Sequence, residues 1–108
     1  MPPLPTGENR ILETPHGKAL GTSFKWSGGQ YCAIHTDRGL IGCGIYNPQV
    51  AGEFGQIVAI AKGTPAKPLC VPEDLYDAKI VEVSKPAEAA GVHVGMTGME
   101  ALAVLLAD

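Results

Sequence analysis

The chain has no run of lysine or arginine, and its 11 acidic residues outnumber its 8 basic ones for a net charge of −3 over 108 residues. Nucleic acid and anionic membrane surfaces are held by clustered cations, so neither is expected as a partner. A transmembrane helix is also excluded: the longest charge-free stretch, Gly39–Gly52, is broken by glycine and proline and cannot supply about 20 consecutive apolar residues. Met1 is followed by Pro2, Pro3 and Pro5 instead of a basic segment and an apolar one, so no secretory signal is read. The three cysteines (Cys32, Cys43, Cys70) are odd in number and lack a CxxC spacing. That pattern argues against a disulfide framework and favours reduced thiols in a cytoplasmic protein. His16, His35 and His93 have no HxH or HxxxH spacing, so none is expected to bind metal. The acidic residues Glu53, Glu73, Asp74, Asp77, Glu82, Glu88 and Glu100 are scattered and form no recognisable acid–base pair. Gly28-Gly29 does not fit GxGxxG. No cofactor is implied by any of these features.

What is present is a globular composition, 45% apolar, in a length that suits one domain. A chain of this size buries roughly two-thirds of its unfolded surface, enough for one modest core. Residues 1–10, rich in proline, glycine and polar groups, are expected to be a flexible N-terminal segment. Residues 11–108 are expected to form a single domain.

Gly17–Trp26 reads as a strand ended by a turn at Ser27-Gly28-Gly29. Gln30–Thr36 is the next strand, and Leu40–Tyr46 returns after a turn at Asp37-Arg38. Asn47-Pro48 then gives a helix cap followed by proline at the first helical position, predicting a short helix over Pro48–Phe54 closed by Gly55. Ile57–Ala61 has the apolar run of a buried strand. Lys62–Pro72, with three prolines, reads as a loop, and Pro72–Tyr76 as one helical turn. Ala78–Val83 alternates like a half-buried strand. Ser84 caps a helix over Lys85–Ala90, with Gly91 in the left-handed position beyond it. Val92–Gly95 reads as extended. Thr97-Gly98-Met99-Glu100 is a capping box, and the helix Gly98–Ala107 that follows is apolar on most sides and must be packed. Strands first, then short helices alternating with strands, predict an α+β fold: an N-terminal antiparallel meander, then helices and strands, then a C-terminal helix.

Register decides whether two cysteines meet. A two-residue reversal at Asp37-Arg38 pairs Thr36 with Gly39, Ile34 with Ile41 and Cys32 with Cys43. A bulge at Gly39 would shift the pairing by one and put the apolar residues on opposite faces. The first register is favoured, and it sets the two thiols on one face with Cβ atoms about 5 Å apart. There they act as small buried hydrophobes, as a redox pair or as part of a soft-metal site. Alternatively Cys43 alone is a nucleophile, although His35, the nearest candidate base, points to the other face from Ile34.

Gly42 and Gly44 flank Cys43 and suggest close approach of a backbone or ligand. Tyr46 and Asn47 at the strand–helix junction are candidates to line a pocket beside it, unless Asn47 serves only as a cap. Thr97 and Gly98 present helix N-terminal amides that suit an anion, unless the capping box occupies them.

The run Arg38-Gly39-Leu40-Ile41-Gly42-Cys43-Gly44-Ile45-Tyr46-Asn47 resembles a segment of the YunC-like family, a bacterial and archaeal domain of unknown function (number 1805). The resemblance continues through Val58–Gly63, Asp77–Ser84, Gly91 and Gly95–Leu102, so it spans about Gly17 to Leu106. It implies a small α+β protein whose N-terminal β region is associated with tetramers, and it carries no activity. Two departures stand out: Met99 replaces the family's arginine, and a longer proline-bearing segment, Gly63–Tyr76, replaces a short link.

The reading expected from these features is a small cytoplasmic homo-oligomer acting as a binding or accessory module, its partner being itself. The alternatives are an enzyme centred on Cys43, supported by Tyr46 and Asn47 at a subunit junction, and a thiolate redox or metal site at Cys32 and Cys43.

Overall fold

Three tight reversals build the first half of the sheet in the computed structural model, which describes residues 4–44, 46–64 and 66–107. Strand β1 (Thr6–Thr14) turns into β2 (Gly17–Trp26) with Thr14 paired to Gly17. Gly17 has φ 135°, a conformation open to glycine and strained for other residues. The Thr14 hydroxyl closes the reversal, donating to the Gly17 carbonyl at 2.8 Å and accepting from the His16 amide at 3.1 Å. Strand β3 (Gly29–His35) follows with Trp26 paired to Gly29, and β4 (Leu40–Gly42) returns with His35 paired to Leu40. The Thr36 amide donates to the Gly39 carbonyl at 2.8 Å around Asp37-Arg38, so the even-numbered reversal is the one adopted. Ile34 lies opposite Ile41 as expected.

Two of the expected boundaries differ. Residues 6–10 are the start of β1, in ladder with Gly21–Lys25, instead of a loose tail; residues 1–3 lie outside the described residues. The strand expected over Leu40–Tyr46 ends at Gly42, and the Tyr46 amide turns back to the Cys43 carbonyl at 3.3 Å.

The second half opens with a parallel pairing. Asn47 caps α1 (Pro48–Glu53), and the chain crosses over to β5 (Val58–Lys62), which pairs parallel with β4. A single 3-10 turn at Pro72–Leu75 leads to β6 (Lys79–Val83), antiparallel to β5 with an irregularity between Ile60 and Ala61. Ser84 caps α2 (Lys85–Ala90), which ends on Gly91 at φ 105°. Val92–Gly95 forms no strand, and α3 (Gly98–Leu106) closes the chain. The six strands lie in sequence order in one mostly antiparallel sheet, so the fold is α+β.

Side chains alternate across a strand, and the two faces differ. Cys32, Ile34, Ile41, Ala59, Ala61 and Ile80 meet Leu75, Ala87, Val92, Ala101, Leu102 and Leu105 in one buried cluster. Arg38 fixes α3 from the β3–β4 turn, donating from Nη1 to the Val104 carbonyl at 2.9 Å. The opposite face of β1–β4 carries Ile11, Leu20, Phe24, Trp26, Tyr31, His35 and Leu40, and much of it is exposed.

Candidate functional site

Cys32 is fully buried in β3, beside the core isoleucines. Cys43 is partly buried just past the end of β4 and continues the ladder, its amide donating to the Cys32 carbonyl at 3.2 Å. The alternation that sets Ile34 against Ile41 therefore brings both thiols to the inner face. Burial pushes the Cys32 thiol up to about 12, with the charges of Cys43, Asp74 and Cys70 adding to the effect. Cys70 approaches from the long segment after β5. Its Sγ accepts from Gln30 Nε2 at 2.9 Å, and its amide donates to Asp74 Oδ2 at 3.0 Å. Gln30 stands two residues before Cys32, on the same face. One end of the core thus carries three sulfurs.

The other sequence candidates do not join Cys43. The Tyr46 ring lies over Gly42, filling the space a side chain there would need. It meets Tyr31 edge-on at 6.0 Å, on the face opposite Cys32. Burial lifts the Tyr46 phenol to about 12, with Tyr31, Cys43 and Cys32 adding to it. Asn47 is engaged as the α1 cap: Oδ1 accepts from the amides of Gln49 at 3.0 Å and Val50 at 3.2 Å. Gly44 is exposed with open space around it. Tyr46 and Asn47 do line a recess of about 360 Å³ with His35, Leu40, Gln56 and Val58, and Cys43 is not part of its wall. His35 Nε2 there is hydrogen-bonded to Thr22 Oγ1 at 3.1 Å, and burial lowers its pKa.

The amides at the start of α3 are all engaged. Thr97 and Glu100 form the reciprocal box, at 3.0 and 3.2 Å. Gly98 and Met99 donate to the carbonyls of Ala78 at 3.0 Å and Tyr76 at 2.9 Å. Gly98 is buried because it backs onto the Leu75 carbonyl.

Two features escaped the sequence reading. The first is an aromatic cluster on the open face: Phe24 stacks on Tyr31 at 5.0 Å and Trp26 leans on Tyr31 at 5.9 Å. The period-two spacing of Thr22, Phe24 and Trp26 in β2 was the available signal. The second is the contact of Cys70 with Gln30, which spans 40 residues and leaves no local trace. Among the described residues, no group of three or more His, Cys, Asp or Glu side chains is placed to hold a metal ion, and no helix is long and apolar enough to cross a membrane.

These features define a small α+β protein built on one six-stranded sheet, with a thiol-bearing core end and an open aromatic face. The same fold occurs in the crystal structure of a protein of unknown function from Thermoplasma acidophilum, with a TM-score of 0.80, 19% identity and 94% of each chain covered. The chain belongs to the family described as Domain of unknown function (DUF1805), whose model matches residues 42–105. The resemblance carried by the Gly39–Asn47 and Gly95–Leu102 segments is thereby supported. The matched stretch begins at the last residue of β4 and leaves β1–β3 outside. No curated protein matches the chain.

Proposed function

We propose that the protein is a small self-associating accessory or binding module of the cytoplasm, in which the open face of β1–β4 joins subunits. One observation carries this reading. Ile11 is 68% exposed, Trp26 43% and Leu20 42%, and all three stand on one face with the Phe24–Tyr31–Tyr46 ring cluster. Ile11 and Leu20 are direct cross-strand partners, and the row continues through His35 to Leu40. The Lys18–Glu13 pair, 3.9 Å apart, marks the edge of the same face. An apolar centre with a charged rim is how subunit interfaces are organised. A strand rise of about 3.3 Å and a spacing of about 4.8 Å make the face of the three long strands roughly 30 by 15 Å. The largest apolar patches of monomers reach about 300–600 Å² and often mark interaction sites, and this face is of that order. A second copy of the chain offers a matching surface by symmetry, and a tetramer needs only one further contact.

The alternative of an enzyme centred on Cys43 has less support. It needs a base beside the thiol, and its two intended helpers, Tyr46 and Asn47, are occupied by ring packing and helix capping.

Light scattering across micromolar concentrations tests the proposal. The native chain is expected at a multiple of the monomer mass, and Leu20→Lys combined with Trp26→Ser at the monomer mass with an unchanged far-UV spectrum. A native chain that stays monomeric throughout overturns it.

A further inference from the structure

We propose that Cys43 and Cys32 form a dithiol that reduces low-molecular-weight disulfides, with Cys43 as the entering thiol and Cys32 as the resolving one. The proposal is independent of how subunits associate.

Placement comes first. The two residues are cross-strand neighbours joined by the 3.2 Å bond from the Cys43 amide to the Cys32 carbonyl. Opposed residues of that kind have Cα atoms about 5.5 Å apart, inside the roughly 4.4–6.8 Å that a disulfide spans. At a hydrogen-bonded pair the Cβ atoms stand about 5.5 Å apart, so they must close by about 1–2 Å to reach the spacing of a disulfide. The chain can supply that movement: Cys43 lies beyond the last residue of β4, and Gly44 after it has open space on every side a Cβ would meet.

Access divides the roles. Cys32 has no exposed surface and cannot meet a dissolved disulfide, whereas Cys43 is only partly buried. Attack by a buried thiol on its neighbour is an intramolecular step, favoured by proximity.

The chemistry balances. The Cys43 thiolate attacks one sulfur of RS–SR; a Cys43–SR bond forms, the RS–SR bond breaks, and RS⁻ leaves and takes up the proton that Cys43 lost. Cys32 then gives its proton to solvent and attacks Cys43 Sγ. The Cys32–Cys43 bond forms, the Cys43–SR bond breaks, and a second RS⁻ leaves and is protonated. Two protein thiols are oxidised and one disulfide is reduced to two free thiols. Cys70, held by Gln30 and Asp74, stands outside this sequence and is the rival partner.

Oxidised glutathione is the probe. The reduced native chain is incubated with it anaerobically, quenched in acid, and read by intact mass and peptide mapping. The expected product has lost two hydrogens and carries a Cys32–Cys43 link, preceded by a transient adduct on Cys43. Cys70→Ser leaves that product intact, Cys43→Ser abolishes it, and Cys32→Ser stops at the adduct. Should Cys32→Ser fail to fold, the native mapping and the other two variants still decide. A lasting adduct on native Cys43, a link to Cys70, or an unmodified Cys43 each overturns the assignment.

Discussion

Gly98, the first residue of α3, rests directly against the backbone carbonyl of Leu75, so no side chain fits between the helix and the 3-10 turn. Leu75 is itself fully buried. Gly98→Ala must therefore push a packed helix off the core, at a cost of about 3 kcal/mol. Gly44→Ala has open space and should change stability by less than about 0.5 kcal/mol. Urea unfolding of the two variants beside the native chain measures the difference; equal midpoints would contradict the packing described.

The helix caps are separable from any ligand role. Thr97→Ala removes the hydroxyl that accepts from the Glu100 amide, and Asn47→Ala removes the carbonyl that serves two α1 amides. Each should lower stability by about 1 kcal/mol. Restoring serine at position 97 should recover most of the first loss, as seen in thermal unfolding.

Acid should act on the same cap. Hydrogen bonds from the Thr97 backbone and hydroxyl hold the Glu100 carboxyl below its ordinary value of 4.5. A group whose folded pKa is lowered stabilises fully above its unfolded value, and that contribution is lost as pH falls through the folded one. The urea midpoint should therefore drop as the solution is acidified below the ordinary glutamate range. Glu100→Gln should show a shallower drop, and an identical slope would exclude the linkage.

His35 predicts a second slope at milder pH. Burial lowers its pKa from 6.5, so the unfolded chain takes up a proton before the folded one does. Stability is then complete above about 6.5 and declines as pH falls toward the lowered folded value. His35 stands in the Ile11–Leu20–Leu40 row, hydrogen-bonded to Thr22, so the same acidification should weaken self-association. Sedimentation on both sides of that range, with His35→Gln as the pH-insensitive comparison, checks both effects.

Ile41→Ala tests the core. The side chain is fully buried between Ile34 and Ala59, and deleting it should cost about 2–5 kcal/mol. Chemical denaturation reads the loss directly.

Much of this arrangement was legible in local chemistry. Asn47-Pro48, Ser84 with Gly91, and the Thr97–Glu100 box each mark a helix end because the side chain or glycine that ends a helix is chosen by the backbone groups left unpaired there. The reversal at Asp37-Arg38 was readable because a slip of one residue would bury the wrong face. Strand β1 was not. Its glycine and polar residues, following the prolines at 2, 3 and 5, resemble a loose tail, and only the pairing with Gly17–Lys25 makes it a strand. The short β4 was overread because Cys43 to Tyr46 keep an apolar look while Tyr46 folds back over Gly42. The site was less legible than the fold. Sequence spacing grouped Cys43 with Tyr46 and Asn47, but the turn after Gly42 sends the tyrosine ring to the other side, and the contact of Cys70 with Gln30 depends on tertiary packing alone.

Strand β4 is three residues long and is the seam between the antiparallel ladder with β3 and the parallel one with β5. Hairpins such as β1–β2–β3 close locally, whereas a parallel pair must wait for its intervening crossover. Leu40, Ile41 and Gly42 thus join a half that can zip up unaided to one that must first wind a helix. A peptide bond cut between them would part the sheet into two pieces with different folding clocks.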